Sequence, residues 1–289
     1  WLKKRSATGG HYLTDTVRGA TKTIYPDGND AEGTVAQALT AFGSNGFTVG
    51  TDTGINVSSG THVAWCWKES ATAGFDIVGY TGNATDRTIS HSLSAVPKVI
   101  LVKRRTGGDS QWAMYHHTLT NNNFLVLNTT GASGTTDHWN DTDPTSSVFS
   151  INSTGDEVNV NTDTYIAYLF SEKQGFSKFG SYTGNGNADG AYIHLGFRPA
   201  WLLVKQSDEA GENWLAFDNK RLGYNVDNNS FNASASSAEA TGDYLDLLSN
   251  GFKTRSTNTV INGSGHTYVY MAFAEAPFVN SKGVPANAR

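Results

Sequence analysis

The sequence predicts an all-β protein made of tandem antiparallel β-sandwich repeats, jelly-roll-like, of about 100 residues each. Three observations carry this prediction. The composition favours strands and turns, several strings recur at a fixed interval, and the recurring strings alternate apolar residues with period two. Of the 289 residues only 16% are charged and 31 are Gly, with Asn, Thr and Ser abundant. Gly and Asn reach positive φ at little cost, so this mixture suits short strands joined by tight polar turns. The same residues rank low in helix propensity.

The interval shows first in Thr61-His-Val-Ala-Trp-Cys-Trp-Lys-Glu69, Thr164-Tyr-Ile-Ala-Tyr-Leu-Phe-Ser-Glu172 and Thr267-Tyr-Val-Tyr-Met-Ala-Phe-Ala-Glu275. Thr61, Thr164 and Thr267 lie 103 residues apart, and Asn56, Asn159 and Asn262 keep the same spacing. Ile55, Val158 and Ile261 precede those asparagines, and Phe47, Phe149 and Phe252 follow the pattern with one residue of slippage. Self-similarity at a fixed period defines the architecture and is read before any other signal.

Taken in chain order, the first copy is partial and spans 1–73. Its opening Trp1-Leu-Lys3 matches Leu101-Val-Lys103, so a front portion equivalent to Phe75 to Ile100 is expected to be missing, leaving an unpaired edge that upstream chain or a neighbour must complete. Trp1 falls within a strand pattern and no signal peptide is visible, which reads as part of something longer. Ser44-Asn-Gly-Phe47, echoed by Ser249-Asn-Gly-Phe252, reads as a hairpin turn, for which Asn-Gly is a strong signal. The copy closes on the strand Val63/Trp65/Trp67, with Ala64 and Cys66 on the opposite face.

The second copy spans 74–175 and the third 176–277, followed by a tail over 278–289. Each opens with a strand and the turn Tyr80-Thr-Gly-Asn83 or Tyr182-Thr-Gly-Asn185. Pro97-Lys-Val-Ile-Leu-Val-Lys103 and Pro199-Ala-Trp-Leu-Leu-Val-Lys205 then predict a buried strand, with Pro at its entry where a missing N–H does least damage. The closing strands Val63/Trp65/Trp67, Ile166/Tyr168/Phe170 and Val269/Met271/Phe273 are largely apolar on both faces, which predicts a central position in the sheet. A copy of this size can bury its own core, so the expected arrangement is beads on a string with sizeable interfaces.

The net charge of −5 lacks the basic face that phosphate contacts need, which argues against nucleic acid. The basic clusters Lys3-Lys4-Arg5 and Lys103-Arg104-Arg105 read as solvated strand ends. A single cysteine, Cys66, excludes an internal disulfide, and no apolar run approaches a membrane span.

Chemistry-bearing residues are few. His116-His117 reads as a solvated strand end rather than a metal site, because the third copy has Phe217-Asp218-Asn219 there. Asp137, Asp141 and Asp143 sit within seven residues but lack the glycine and terminal glutamate of a calcium loop, so loop chemistry is favoured over an ion site. Glu69, Glu172 and Glu275, and Glu32 with Glu239, recur once per copy and read as parts of the fold rather than as a glycosidase pair. Asp15-Thr-Val-Arg18 and Asp218-Asn-Lys-Arg221 read as a repeated structural ion pair. The aromatics fall largely at repeated, alternating positions and read as core, with Trp112 and Trp139 left open as surface rings for sugar stacking. No catalytic, cofactor-binding or metal residue is assigned, and no cofactor is expected.

The repeated strings resemble a family of tandem-repeat, tail-fibre-like virion structural proteins of tailed phages, of the marine and cyanobacterial type. The resemblance rests on Phe75-Asp-Ile-Val-Gly-Tyr-Thr-Gly-Asn83, Pro144-Thr-Ser-Ser-Val-Phe-Ser-Ile151, Gly175-Phe-Ser-Lys-Phe-Gly-Ser-Tyr-Thr-Gly-Asn185 and Gly196-Phe-Arg-Pro-Ala-Trp201. It continues in Tyr268-Val-Tyr-Met-Ala-Phe-Ala-Glu-Ala-Pro-Phe278 and Val284-Pro-Ala-Asn-Ala-Arg289. It implies a virion location and a non-enzymatic appendage role, with other virion proteins as partners. The expected function is a tail-fibre segment that spaces or presents a host-recognition surface. A homo-oligomer is expected, a trimer favoured, with a host-surface glycan as a candidate ligand. The alternatives are a capsid-decorating or carbohydrate-binding β-sandwich protein and, behind them, a polysaccharide depolymerase.

Overall fold

A computed structural model describes residues 1–153, 155–221 and 229–275, together with the backbone of Phe278–Val279 and Pro285–Ala286. The rest of the tail lies outside the described residues. Strands dominate, and among the described residues the one helix is α1, a single turn over Thr259–Asn262 capped by the Asn258 side chain.

The first stretch carries β1 (Leu2–Lys4), β2 (His11–Tyr12), β3 (Lys22–Thr23), β4 (Gly33–Thr34), β5 (Leu39–Gly43), β6 (Gly46–Val49) and β7 (His62–Ala64). The second carries β8 (Phe75–Thr81), β9 (Arg87–Ser90), β10 (Val99–Arg104), β11 (Trp112–His116), β12 (Leu125–Val126), β13 (Val148–Ile151) and β14 (Thr164–Phe170). The third carries β15 (Ser177–Thr183), β16 (Tyr192–His194), β17 (Pro199–Gln206), β18 (Leu215–Asp218), β19 (Asn229–Asn232), β20 (Ala240–Thr241), β21 (Leu245–Leu248), β22 (Gly251–Thr254) and β23 (Thr267–Ala274). A short antiparallel pair, β24 (Phe278–Val279) and β25 (Pro285–Ala286), ends the chain.

One strand order occurs three times, all antiparallel. The second large sheet runs β8-β14-β10-β11-β12 and the third runs β15-β23-β17-β18-β19-β20. The first is a shorter version, β7-β1-β2, extended by a bridge between Leu13 and Ile24. Thr164 faces Thr81 and Thr267 faces Thr183 across equivalent ladders. Each large sheet has a small companion: β9-β13 in the second stretch, β16-β22-β21 in the third, and the hairpin β5-β6 in the first. Both hairpins of Ser-Asn-Gly-Phe type form, with Ser44-Asn45 and Ser249-Asn250 between the paired ends, one residue earlier than Asn-Gly would centre them.

Alternation sends the two faces of each central strand into different cores. Tyr165, Ala167 and Leu169 of β14 pack with Ile89, Phe149 and Ile151 of the small sheet, closing a sandwich. Tyr268, Tyr270 and Ala272 of β23 do the same with Ile193, Leu247 and Phe252. The opposite residues, Ile166/Tyr168/Phe170 and Val269/Met271/Phe273, meet Trp1 and Trp65 in one shared core between the three large sheets. Burying a large apolar side chain contributes roughly 1.5–3 kcal/mol, so burial on both faces makes these strands the main stabilising elements. The arrangement is therefore not a string of beads. A self-sufficient sandwich would leave the second face wet, whereas here that face is apolar and is covered by the other two sheets.

The sheets close into a ring through contacts that repeat cyclically. The indole N–H of Trp112 donates to Tyr25 O at 2.9 Å, and that of Trp214 donates to Val126 O at 3.0 Å. In the equivalent place His11 Nε2 donates to Ala235 O at 3.2 Å, joining the first sheet to the third. Backbone bonds follow the same circuit: Ser110 N to Asn29 O, Gly211 N to Thr130 O and Gly9 N to Ser236 O.

The ring overturns the expectation of solvated basic strand ends. Lys3 and Lys103 are fully buried, as is Lys205. Lys103 Nζ donates to Asn29 O at 2.8 Å, and Lys3 Nζ to Gly9 O at 2.6 Å and Ser236 O at 3.1 Å. Burial pushes all three amines down to about 8. Arg5 and Arg105 are each clamped two-pronged by a glutamate of a neighbouring sheet.

Candidate functional site

The recurring carboxylates are the joints of the ring. Arg18 Nε donates to Asp15 Oδ2 at 2.5 Å, Tyr168 OH donates to the same oxygen at 2.6 Å, and Glu32 accepts from both Arg18 and Arg105. Burial pushes the Glu32 carboxyl up, but the Arg105 hydrogen bonds and the Arg18 charge outweigh this and hold it below the usual range. At the next joint Arg221 Nε donates to Asp218 Oδ2 at 2.6 Å, Trp65 Nε1 donates to that oxygen at 3.0 Å, and Glu239 accepts from Arg5 and Arg221. The Asp-x-x-Arg motifs are thus structural ion pairs, as their repetition suggested. The third joint has another composition: His116 Nε2 donates to Tyr270 O at 3.3 Å, Ser133 N donates to Ser207 O, and Leu119, half-buried against the shared core, stands where the other joints have Arg18 and Arg221.

His116 is fully buried, which corrects the solvated strand end read from the sequence. Burial pushes it down to about 3, and its Nδ1 accepts from Thr118 Oγ1 at 2.8 Å. His11 is alike: burial and the nearby Lys3 charge take it to about 3, and its Nδ1 accepts from the Trp1 indole at 2.8 Å. His117, half-buried, donates from Nε2 to Phe179 O. Glu172 accepts from Phe179 N at 3.0 Å, and Glu275 pairs with Lys220. Asp137 accepts from Asp141 N at 2.8 Å and Asp143 lies 3.4 Å from Tyr115 OH. Among the described residues no three His, Cys, Asp or Glu side chains converge as a metal site needs. Trp112 and Trp139 are buried, Trp139 edge-on to Tyr115, so neither offers a face to a sugar.

What sequence reasoning did not locate is an open groove of about 690 Å3 beside β7, lined by Phe42, Phe47, Trp65, Cys66 and Trp67. In the first sheet no strand among the described residues takes the place that β8 and β15 hold in the other two. In the complete sheets the central strand has a neighbour on each side; β7 pairs with β1 alone among the described residues. Without the second neighbour, Trp65 to Glu69 form no strand, although Tyr168 to Phe170 do at the equivalent place. The predicted central strand of the first copy is therefore a three-residue edge strand. The small sheet shows the same gap. Phe149 is 1% exposed beneath Ile89 and Phe252 0% beneath Ile193, while Phe47 is 36% exposed.

The Tyr-Thr-Gly-Asn motif explains what the complete sheets hold in this place. Tyr80 stacks on Tyr165 at 5.1 Å and donates to Val158 O at 2.9 Å. Gly82 is required because a Cβ there would meet Val160 O at 2.0 Å, and Asn83 N donates to Asn159 Oδ1 at 3.0 Å. Tyr182 on Tyr268, Gly184 against Gly263 O and Asn185 N on Asn262 Oδ1 reproduce it. In the first copy the Asn56 side chain donates to Gly50 O, and among the described residues no turn of this kind donates to its Oδ1.

The fold and this groove define an all-β protein of sandwich type, with no helix among the described residues long and apolar enough to cross a membrane. A family model described as a domain of unknown function (DUF7483) matches residues 1–277, and the chain belongs to that family. No curated protein and no solved structure matches it.

Proposed function

We propose that the chain is a non-catalytic structural protein of a phage virion, a tail-fibre segment that spaces or presents a host-recognition surface at the particle's exterior. The observation that carries this reading is where the candidate chemistry has gone. Asp15, Arg18, Glu32, Asp218, Arg221 and Glu239 hold three sheets in a closed ring, and each is engaged by a neighbouring sheet or by its own turn. Residues spent on joints in this way suit a spacer that resists unfolding and proteolysis. The sequence resemblance supports the phage setting. Its proposed partners are other virion proteins, further copies of the chain as a homotrimer, and a host-surface glycan.

The test is proteomic and imaging work on purified particles of the source phage. Stoichiometric recovery of this chain, with antibody labelling at tail fibres, is the expected result. Labelling scattered over the capsid would favour a decoration protein, and absence from particles would refute the virion role. Light scattering would give three times the 31.0 kDa chain mass for a homotrimer.

A further inference from the structure

We propose that the groove beside β7 is an acceptor site for an extended polypeptide segment of the Phe75–Ser90 type, coming from outside residues 1–289 and adding a strand antiparallel to β7. This inference stands on the fold and is independent of which particle carries the chain.

Four features of the first sheet converge on that occupant. The first is an edge with no partner strand among the described residues. Trp65 N donates to Trp1 O, Trp1 N to Trp65 O, and Arg5 N to Thr61 O. Odd-numbered residues of this stretch therefore turn their backbone groups towards β1. By the alternation of an antiparallel ladder, the N–H and C=O of His62, Ala64 and Cys66 face outwards. In the second sheet the matching Tyr165, Ala167 and Leu169 lie opposite Tyr80, Val78 and Asp76 of β8. An unpaired edge of this kind is a template for another strand.

The second feature is the apolar wall. Trp67 occupies the place of Phe170 and Phe273, where Phe75 stacks on Phe170 at 4.7 Å. Cys66 and Ala64 are exposed, whereas the matching Leu169 and Ala167 are buried. The third feature is Phe47, bare where β9 and β16 cover its counterparts, so the occupant must supply a second strand as well as the first. The fourth is Asn56, whose counterparts Asn159 and Asn262 accept from Asn83 and Asn185 of the incoming turn. One segment of two strands joined by Tyr-Thr-Gly-Asn meets all four needs at once.

A second copy of this chain is a poor occupant, because its own Phe75–Ser90 is already paired along β14 and β13. Two β7 edges meeting would satisfy the backbone but would leave Phe47 and Asn56 as they are.

The experiment uses the full 289-residue chain and a dye-labelled synthetic peptide of the sequence Phe75–Ser90, followed by fluorescence anisotropy. Saturable binding is expected, with none for a scrambled peptide. Amide hydrogen exchange of His62, Ala64 and Cys66 should slow on binding. Ala64→Pro removes one outward N–H from an edge strand, a position where proline is tolerated. It should weaken binding about tenfold, the loss expected for one or two hydrogen bonds, while leaving the thermal unfolding midpoint unchanged. Binding unaffected by Ala64→Pro, or equal binding of the scrambled peptide, would overturn the proposal. So would a peptide-independent assembly of the chain that Ala64→Pro dissociates, since that would put a second copy on the edge.

Discussion

Acidification to pH 5 should weaken the ring through two buried histidines. His11 and His116 are fully buried, each with Nε2 donating to a carbonyl of another sheet and Nδ1 accepting from a nearby donor. A second proton can enter either ring only by breaking the bond to Nδ1, at a position with no exposed surface. Both are held at about 3 against a usual 6.5. The folded-state pKa lies below the unfolded one, so the unfolded chain binds more protons between these values. Stability is then complete above pH 6.5 and declines as pH falls towards 3. At pH 5 the unfolded chain gains about 2 kcal/mol per histidine, or about 4 kcal/mol for the pair. A typical domain has only about 5–15 kcal/mol in total, so the loss should be plain in a denaturant titration. Urea unfolding at pH 7 and pH 5 gives the difference, with NMR of the His Cε1 protons to show that neither ring titrates above pH 4. His116→Gln keeps a donor for Tyr270 O and should remove about half of the pH-dependent loss; adding His11→Gln should remove most of it. A double variant as acid-sensitive as the parent would show that these rings are not buried and neutral.

Further outcomes follow from the same geometry. Arg18→Leu leaves Asp15 and Glu32 buried without their cation and should cost about 3–5 kcal/mol by urea unfolding. The triple change Asp15→His, Arg18→Leu, Glu32→Ser copies the composition of the third joint and should cost less than Arg18→Leu alone. Phe149→Ala should cost about 3–5 kcal/mol and Phe47→Ala under about 1 kcal/mol, because only the first opens a cavity. Lys3, Lys103 and Lys205 are held near 8 against a usual 10.5, so the unfolded chain binds more protons between those values and the unfolding midpoint should rise from pH 8 towards pH 10. Lys103→Met should reduce that rise.

Much of this fold was legible in the sequence because its cause is local. Period-two alternation in Thr164 to Phe170 follows from the pleat, and the apolar second face was equally visible. What covers that face was not visible. A strand apolar on both sides reads the same whether its second face meets a helix, a partner chain or two further sheets, and only the fold decides. The same blindness misplaced Lys103 and His116: both sit at strand ends, and strand ends are wet in a bead but buried in a ring. Asp15 and Arg18 were read as a pair from their spacing, whereas the pairing of Arg105 with Glu32 joins residues 73 positions apart and leaves no mark in a local pattern. The unpaired edge of the first sheet was legible in the repeat, whereas the groove on it was not, because Phe47, Trp65 and Trp67 come together there only in the fold.

The three joints show how a ring of similar sheets tolerates divergence. Equivalent buried positions hold Trp1 with His11 in the first sheet, Leu101 with Trp112 in the second and Leu203 with Trp214 in the third. Where the strand residue is large its neighbour is smaller, and where it is Leu the neighbour is Trp, so the volume between sheets is preserved while the identities change. The hydrogen bond is preserved too: an imidazole N–H in one place and an indole N–H in two, each reaching a carbonyl of the adjacent sheet. The ion pairs are less constrained. Two joints use Asp, Arg and Glu, and the third manages with His116, Leu119 and Ser133, which is reasonable if a buried ion pair contributes more to register than to stability. Packing volume and one donated N–H are what each joint must supply.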